Sequence, residues 1–376
     1  MIDDDGASLA AHFATFAEVA FRRLPLYRYL AEGVAQDREV AERLLLARPE
    51  QRWFTLLMAS VHDRLLAGVG PDGSADDPLG EWYRSITDHP RPVGTGTDDP
   101  WPHFRRLALD DELVAANLAT RSTQTNEVGR CLALLPALGG VTADHGAPLG
   151  LVEVGASAGL NLRFDHYGYR YRPDGSGAED VIELDVDADL VLETVWRGAM
   201  PPPVPAVMPL VVHRAGVDLH PIDVTDEVAG RWLVACQWPE QPERLERCRQ
   251  AVALAAVDPP AVRRGDAIAT LAKMVDEVPE DVHPVVIATW FLAYLDPARQ
   301  RAFLHELDRI ARQRDITLVI EEQPSEVPGL DPPPRPDGKF DPGPTALCRY
   351  DWCSGHRTSV RLADQHPHVR WLEWLQ

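Results

Sequence analysis

Lysine is almost missing from this chain of 376 residues: Lys273 and Lys339 are the two, in a total of 37 lysines and arginines. An arginine-biased codon usage accounts for that without any functional cause. Acidic side chains outnumber basic ones 58 to 37, a net charge of −21. That balance disfavours nucleic acid as a partner, because phosphate backbones reward Lys and Arg. No apolar run reaches the ~18–20 residues that a membrane span needs, so no membrane association is expected. The start, Met1-Ile2-Asp3-Asp4-Asp5, has no basic region followed by an apolar stretch, and no leader is expected. Five cysteines, an odd number, fit a reduced cytoplasmic protein better than a disulfide framework. No repeat or heptad is present. The 45% hydrophobic and 25% charged residues exclude collagen, coiled coil and wholesale disorder. The length allows two or three structural units, or one elaborated α/β domain, with a core that needs no staples.

The first part, 1–145, reads as a helical domain. Ala11, Phe13, Phe16, Val19 and Ala20 follow a three-and-four spacing, as do Trp53, Leu56, Leu57, Ser60, Val61 and Leu65 before Gly68 and Gly70. Residues 69–100 read as loop around a short helix near Leu79–Ile86. Another helix is expected from Phe104 to Ala119, and one from an N-cap at Thr125 to a stop at Gly139-Gly140.

From Leu149 the pattern changes. The apolar run 149–154 reads as a buried strand that feeds a tight turn and a helix from Leu160. Strands are expected at 211–218, 261–266, 283–289 and 316–320, with helices at 225–235, 242–256 and 297–312. A hairpin of 346–352 and 358–362 comes last, with 369–374 beside it. Buried strands alternating with helices imply a mostly parallel sheet covered on both faces, so 146–376 reads as an α/β domain closed by an antiparallel hairpin. Ligands in such sheets sit outside the carboxyl ends of the strands, where strand order reverses.

The unusual residues fall at those ends. The first strand runs into Glu153-Val154-Gly155-Ala156-Ser157-Ala158-Gly159, an E-x-G-x-S-x-G turn. It is neither the G-x-G-x-x-G of a dinucleotide fold nor a Gly-Lys-Ser/Thr phosphate loop. A carboxylate at the strand end suits a ligand with a positive amino group. A tight turn without any ligand is the plain alternative.

This turn resembles the first motif of S-adenosylmethionine-dependent methyltransferases, acidic-x-G-x-G-x-G, with Ser157 in place of the middle glycine. Gly216-Val217-Asp218-Leu219-His220-Pro221 resembles that family's second-strand motif and Gly265-Asp266-Ala267 its third. The run Val285–Leu295 resembles the fourth strand and the helix start beyond it. The resemblance implies a Rossmann-like methyltransferase-type sheet and S-adenosylmethionine as cofactor. It implies that Glu153, Gly155, Ser157 and Gly159 hold the methionine end, Asp218 the ribose, and Asp266 with Ala267 the adenine, while Trp290 and Tyr294 wall the pocket. The acceptor is then a small molecule, lying against the helical domain or the Pro- and Gly-rich loop 324–344. Asp218 lies 63 residues after Gly155, where ~20 is usual in such folds; it is preferred to Asp174, which makes 167–210 an insertion.

More narrowly, the chain is similar to the DUF2332 family of uncharacterised bacterial, mostly actinobacterial, proteins. The stretches that carry the similarity are Thr123–Cys131, Glu153–Leu162, Gly216–Asp226, Arg231–Arg244 and Gly265–Leu271. This family implies a methyltransferase-like fold but no activity.

Other groups have two readings each. Gln124, Asn126 and Glu127 crowd an expected helix start and either cap it or meet a carboxylate of the ligand. Glu321 and Glu322 end the fifth strand, and either cap it in water or act with Tyr294 on the acceptor. Cys348, Cys353 and His356 lack the fourth ligand of a zinc site, so no metal is expected. The G-x-S-x-G turn also has the form of a hydrolase nucleophile elbow, with Asp296 and His356 or His366 as partners. A third possibility is a scaffold that binds a nucleoside or a protein partner without catalysis. Oligomeric state is not legible.

Overall fold

The computed structural model describes residues 6–19, 23–94, 98–175, 180–339 and 343–376. They form two compact units: 1–125 with 225–249, and 126–224 with 250–376.

In the first unit the helices α1 (Gly6–Val19), α2 (Pro25–Gln36), α3 (Arg38–Ala41), α4 (Phe54–Ala67), α5 (Pro100–Asp110) and α6 (Glu112–Thr120) come one after another. Ala20, expected to extend the apolar face of α1, lies outside the described residues. The single helix expected over 104–119 is two, because Asp111 accepts the Leu113 and Val114 N–H groups and starts α6 anew. Near 79–86 there is only a 3₁₀ turn, Pro78–Trp82. The core of the unit is built from Phe13, Leu57, Val61 and Trp232. Trp232 donates its indole N–H to Ser122 O. At the start of α2 no local side chain caps the helix; Glu240 does so from afar, accepting the Leu26 and Tyr27 N–H groups at 2.8 and 3.0 Å.

The second unit begins with α7 (Cys131–His145). Thr125 does not start this helix. Glu127 caps a 3₁₀ turn, Val128–Arg130, that leads into it. Nor do Gly139 and Gly140 stop it: α7 runs on to Gly146, which ends it at φ +61°. Gly139 packs closely on Pro205: a Cβ there would sit 3.1 Å from that ring, a tight contact.

The strands are β1 (Leu149–Val154), β2 (Gly168–Pro173), β3 (Ile182–Leu184), β4 (Val191–Arg197), β5 (Val211–Asp218), β6 (Val262–Arg264), β7 (His283–Thr289), β8 (Ile316–Glu322), β9 (Thr345–Cys353), β10 (His356–Gln365) and β11 (Trp371–Trp374). The helices α8 (Glu227–Ala235), α9 (Pro242–Val257), α10 (Ala267–Asp276) and α11 (Pro297–Ile310) lie between them in sequence. All strands join one mostly parallel sheet of order β3-β2-β4-β11-β10-β9-β8-β7-β1-β5-β6. Segment 167–210 contributes β2, β3 and β4 to the far edge; its residues 176–179 are outside the described set. The expected C-terminal hairpin is β9–β10, antiparallel and joined to β8. The helix expected from Leu160 is a 3₁₀ segment, Leu160–His166. Every residue of β1, β7 and β8 is buried, since both sheet faces are covered there.

Candidate functional site

Chain order reverses between β1 and β7. From β1 the strands next in sequence within the parallel part, β5 and β6, step outward on one side, while β7 and β8 step outward on the other. The crevice at such a reversal opens at the carboxyl ends, here Val154, Asp218, Arg264, Thr289 and Glu322.

At the end of β1 the backbone takes a left-handed conformation at every second residue: Gly155 at φ +69°, Ser157 at +54° and Gly159 at +72°. A serine in that region costs about 1–2 kcal/mol relative to glycine. The turn is held despite this by hydrogen bonds on both sides. Gly155 and Ala156 donate to Val217 O at 2.9 and 3.1 Å. Ser157 N–H donates to Asp218 Oδ2 at 2.9 Å, and His220 N–H to Asp218 Oδ1 at 2.8 Å. Asn126 Oδ1 accepts the N–H groups of Ala158 and Leu160. Asp218, Asn126 and the turn are therefore one assembly. Asp174 is not part of it: it pairs with Arg197 beyond the end of β2, a strand that six others separate from β1.

Beneath the turn lies a closed polar cluster. Glu153, Asn161, Arg130, Thr289, Glu321 and Gln365 are each no more than 5% exposed. Register explains their meeting: Glu153 pairs with Ile287 on β7, Thr289 with Glu321 on β8, and Glu153 and Thr289 share the parity of one sheet face. Asn161 Nδ2 donates to Glu153 Oε1 and to Thr289 Oγ1, at 3.2 and 3.4 Å. Arg130 Nη1 donates to Thr289 O and Oγ1 at 3.0 and 3.2 Å. Gln365 Nε2 donates to Glu321 Oε2 at 2.6 Å. Burial pushes the carboxyls of Glu153 and Glu321 up to about 8, partly opposed by Arg130 and the amide donors. Burial thus favours the neutral acid in both, and each has one oxygen without a hydrogen-bond partner, Glu153 Oε2 and Glu321 Oε1.

Glu322 is also buried, and not a strand cap in water. Its Oε1 accepts the Phe291 and Leu292 N–H groups, each at 2.8 Å. Burial raises it to about 7 against those donors. Trp290 adopts φ +52° and is half-buried, its indole N–H unpartnered, while Tyr294 is 81% exposed. Phe291 stands directly over the turn: a Cβ on Gly155 would lie 2.6 Å from its ring.

The remaining sequence candidates belong to the first unit or are engaged by other groups. Gln124 is half-buried in the first unit. Glu127 Oε1 caps Gly129 N–H, and its Oε2 lies 3.6 Å from His368 Nδ1. Asp266 caps α10 through Ala269 N–H and is ion-paired with Arg299, with Ala267 buried after it. Within 324–344, Val327 and Leu330 are buried, and Arg335 is ion-paired with Asp364; residues 340–342 lie outside the described set. Ser157 Oγ is buried and has no hydrogen-bond partner, and Asp296 caps α11. Cys348 is buried and Cys353 exposed. Among the described residues no three His, Cys, Asp or Glu side chains are grouped for a metal ion, and no helix is long and apolar enough to cross a membrane.

Sequence reasoning passed over Arg130, Asn161, Thr289 and Gln365. Arg130 and Asn161 lie inside two of the stretches that carry the family similarity, Thr123–Cys131 and Glu153–Leu162. Thr289 carries the one hydroxyl that closes the apolar strand β7.

A family model described as "Uncharacterized protein conserved in bacteria (DUF2332)" matches residues 10–374. A search among curated proteins gives no match. The chain belongs to the DUF2332 family.

Proposed function

We propose that this member of the DUF2332 family binds S-adenosylmethionine at the carboxyl edge of its sheet and transfers the methyl group to a small-molecule acceptor. On this reading the second unit is a Rossmann-like, methyltransferase-type domain and the N-terminal helices form a domain of their own. One observation carries it: the E-x-G-x-S-x-G turn, left-handed at Gly155, Ser157 and Gly159, lies at the reversal of strand order and is latched by the Asp218 carboxylate. The five parallel strands β6-β5-β1-β7-β8 follow the order of doubly wound nucleotide-binding sheets, 3-2-1-4-5 when numbered along the chain.

The residues present suit such a ligand. Two oxygens have no partner, Ser157 Oγ in the turn and Glu153 Oε2 in the cluster beneath it. Asp218 is half-buried, and each of its oxygens has lone-pair capacity beyond the one amide it accepts. Asp218 would hold the ribose hydroxyls, Glu153 with Gly155, Ser157 and Gly159 the methionine end, and Asp266 with Ala267 the adenine side, once Arg299 gives way. Trp290 would wall the pocket. Asn126 fixes the turn, and Glu127 caps the 3₁₀ turn beside it. When bound, the cofactor supplies an electrophilic methyl group on sulfonium. The protein's task is then alignment more than acid–base chemistry. Glu321, Glu322 and Tyr294 are alternative candidates for the group that would meet the acceptor; the two acids face opposite sides of the sheet, so only one of them can do so.

Calorimetric titration with S-adenosylmethionine and S-adenosylhomocysteine tests this. Micromolar one-to-one binding is expected, weakened about ten- to a hundredfold in Asp218→Ala by the loss of charged hydrogen bonds. No heat with either ligand, or an unchanged Kd in the variant, removes the proposal. The Phe291 ring over Gly155 favours a second reading, a sheet that binds a nucleoside without transfer. Binding without incorporation of labelled methyl from any cell extract would select it.

A further inference from the structure

We propose that Ser85 and His62, in the first unit, form a nucleophile–base pair that cleaves carboxylic esters, separate from the turn at Gly155. Of the two serines at issue, Ser157 has no hydrogen-bond partner for its hydroxyl, whereas Ser85 Oγ lies 2.8 Å from His62 Nε2. His62 sits on α4 and is wholly buried. Its Nδ1 lies 2.9 Å from Ala235 O at the end of α8. A carbonyl oxygen only accepts, so Nδ1 carries the proton and Nε2 presents a lone pair. Ser85 is therefore the donor. This is the polarity a general base needs towards a nucleophilic hydroxyl, with the base oriented by a third group.

The surroundings fit that role. Ser85 is half-buried on the turn after Trp82, while the imidazole is closed off behind it. The Tyr83 ring lies beside the imidazole, 5.5 Å between centroids. Arg249 Nη2 donates to Ser85 O at 2.8 Å and fixes the turn from α9. The next two amides, of Ile86 and Thr87, both donate to Tyr83 O. The Ser85 N–H makes no hydrogen bond with a described residue, which leaves the nucleophile's own amide for the developing oxyanion.

The chemistry balances with water as co-reactant. Ser85 Oγ bonds to the ester carbonyl carbon as its proton passes to His62 Nε2. The carbon–oxygen bond to the leaving alcohol breaks, and that proton goes to the alkoxide. Water then attacks the acyl-serine and gives a proton to His62. Ser85 Oγ leaves with that proton as the carboxylic acid is released. A histidine that only pins the turn would show none of this.

The full chain is treated with a fluorophosphonate probe, and the adduct is mapped by peptide mass. One equivalent on Ser85 is expected in the native protein, none after denaturation in urea and none in Ser85→Ala. His62→Gln is expected to slow labelling about a hundredfold or more. An absent adduct, an adduct on Ser157 instead, or an unchanged rate in folded His62→Gln overturns the proposal. Should His62→Gln not fold, the pH profile of the wild type decides. Burial and Arg249 lower His62 to about 4, against the Ala235 carbonyl and Asp63, which raise it. Labelling is then flat above pH ~5 and falls towards pH ~4. A rate that climbs tenfold per pH unit is hydroxide-driven and overturns it. Neither outcome bears on S-adenosylmethionine binding.

Discussion

Gly155→Ala is the sharpest test of how the turn is held. Gly155 has φ +69°, so any β-carbon there costs about 1–2 kcal/mol in backbone strain. The β-carbon would also lie 2.6, 2.7 and 2.8 Å from Cδ2, Cβ and Cγ of Phe291. Rotating the ring relieves the Cδ2 contact but not Cβ, which moves only with the backbone. Phe291 is itself anchored, since its N–H donates to buried Glu322. Overpacking of this kind costs about 1–3 kcal/mol, so the expected total is about 2–5 kcal/mol. A double-mutant cycle separates the two parts. In a Phe291→Gly background the same substitution should cost only the strain, about 1–2 kcal/mol. Phe291→Ala should relieve less, because its Cβ stays at 2.7 Å. Urea unfolding of the full chain, followed by circular dichroism and tryptophan fluorescence, measures each corner. Two compact units can unfold separately, so the shift is read in the transition that Phe291→Gly itself moves. A cost below about 1 kcal/mol, or the same cost in both backgrounds, refutes the packing argument.

The buried charges set three further outcomes. Glu153 and Glu321 are raised to about 8 and Glu322 to about 7, above the ~4.3 of an unfolded glutamate. Between those limits the folded chain binds more protons than the unfolded one, so their contribution to stability is full below pH ~4 and is lost as pH rises to ~8. Glu153→Gln with Glu321→Gln should flatten denaturation midpoints between about pH 5 and 8; an unaltered profile contradicts the assignment. Glu322→Ala strands the Phe291 and Leu292 amides and should cost about 2–5 kcal/mol in urea unfolding, whereas Glu322→Gln, which keeps an acceptor, should cost under about 1.5 kcal/mol. In the first unit Asp63, 1% exposed, accepts from Asn117 and from Arg231, both at 2.9 Å. Asp63→Ala leaves a charge without its partner and should lose about 3–5 kcal/mol; a thermal midpoint shifted by less than about a degree would contradict it.

Where one rule governed a segment, the sequence was enough to place it. The runs 149–154, 283–289 and 316–320 are apolar at almost every position, as strands covered on both faces must be, and all three are interior strands. Where two rules competed, it was not. Gly139-Gly140 has the composition of a helix stop, yet α7 continues to His145, and the left-handed residue that ends it is Gly146; Gly139 instead lies close against Pro205. Thr125 and Glu127 are both competent caps, and only the conformation of 121–127 selects Glu127. Segment 225–249 looks like ordinary crossover helix between strands; its packing with the N-terminal helices depends on side chains such as Trp232 and Arg231, whose partners lie more than a hundred residues away.

The candidate site divides along the same line. Glu153, Ser157 and Asp218 were found because each stands at a strand end, a position that chain order alone defines. Gln365 was not, because it reaches Glu321 only through the register of β8 with β9 and β9 with β10. The pair Glu321-Glu322 shows what register adds. Consecutive residues of a strand face opposite sides, so two adjacent acids cannot serve one ligand from one face. Glu321 turns to Gln365, on the sheet face that also carries Thr289 and Glu153, while Glu322 turns to the backbone of 291–292. The first is thereby tied to the cluster beneath the turn, and the second to the segment that sets Phe291 above it. What holds Ser157 in its left-handed conformation is nearer: Asp218 accepts its N–H, Val217 O those of Gly155 and Ala156, and Asn126 those of Ala158 and Leu160.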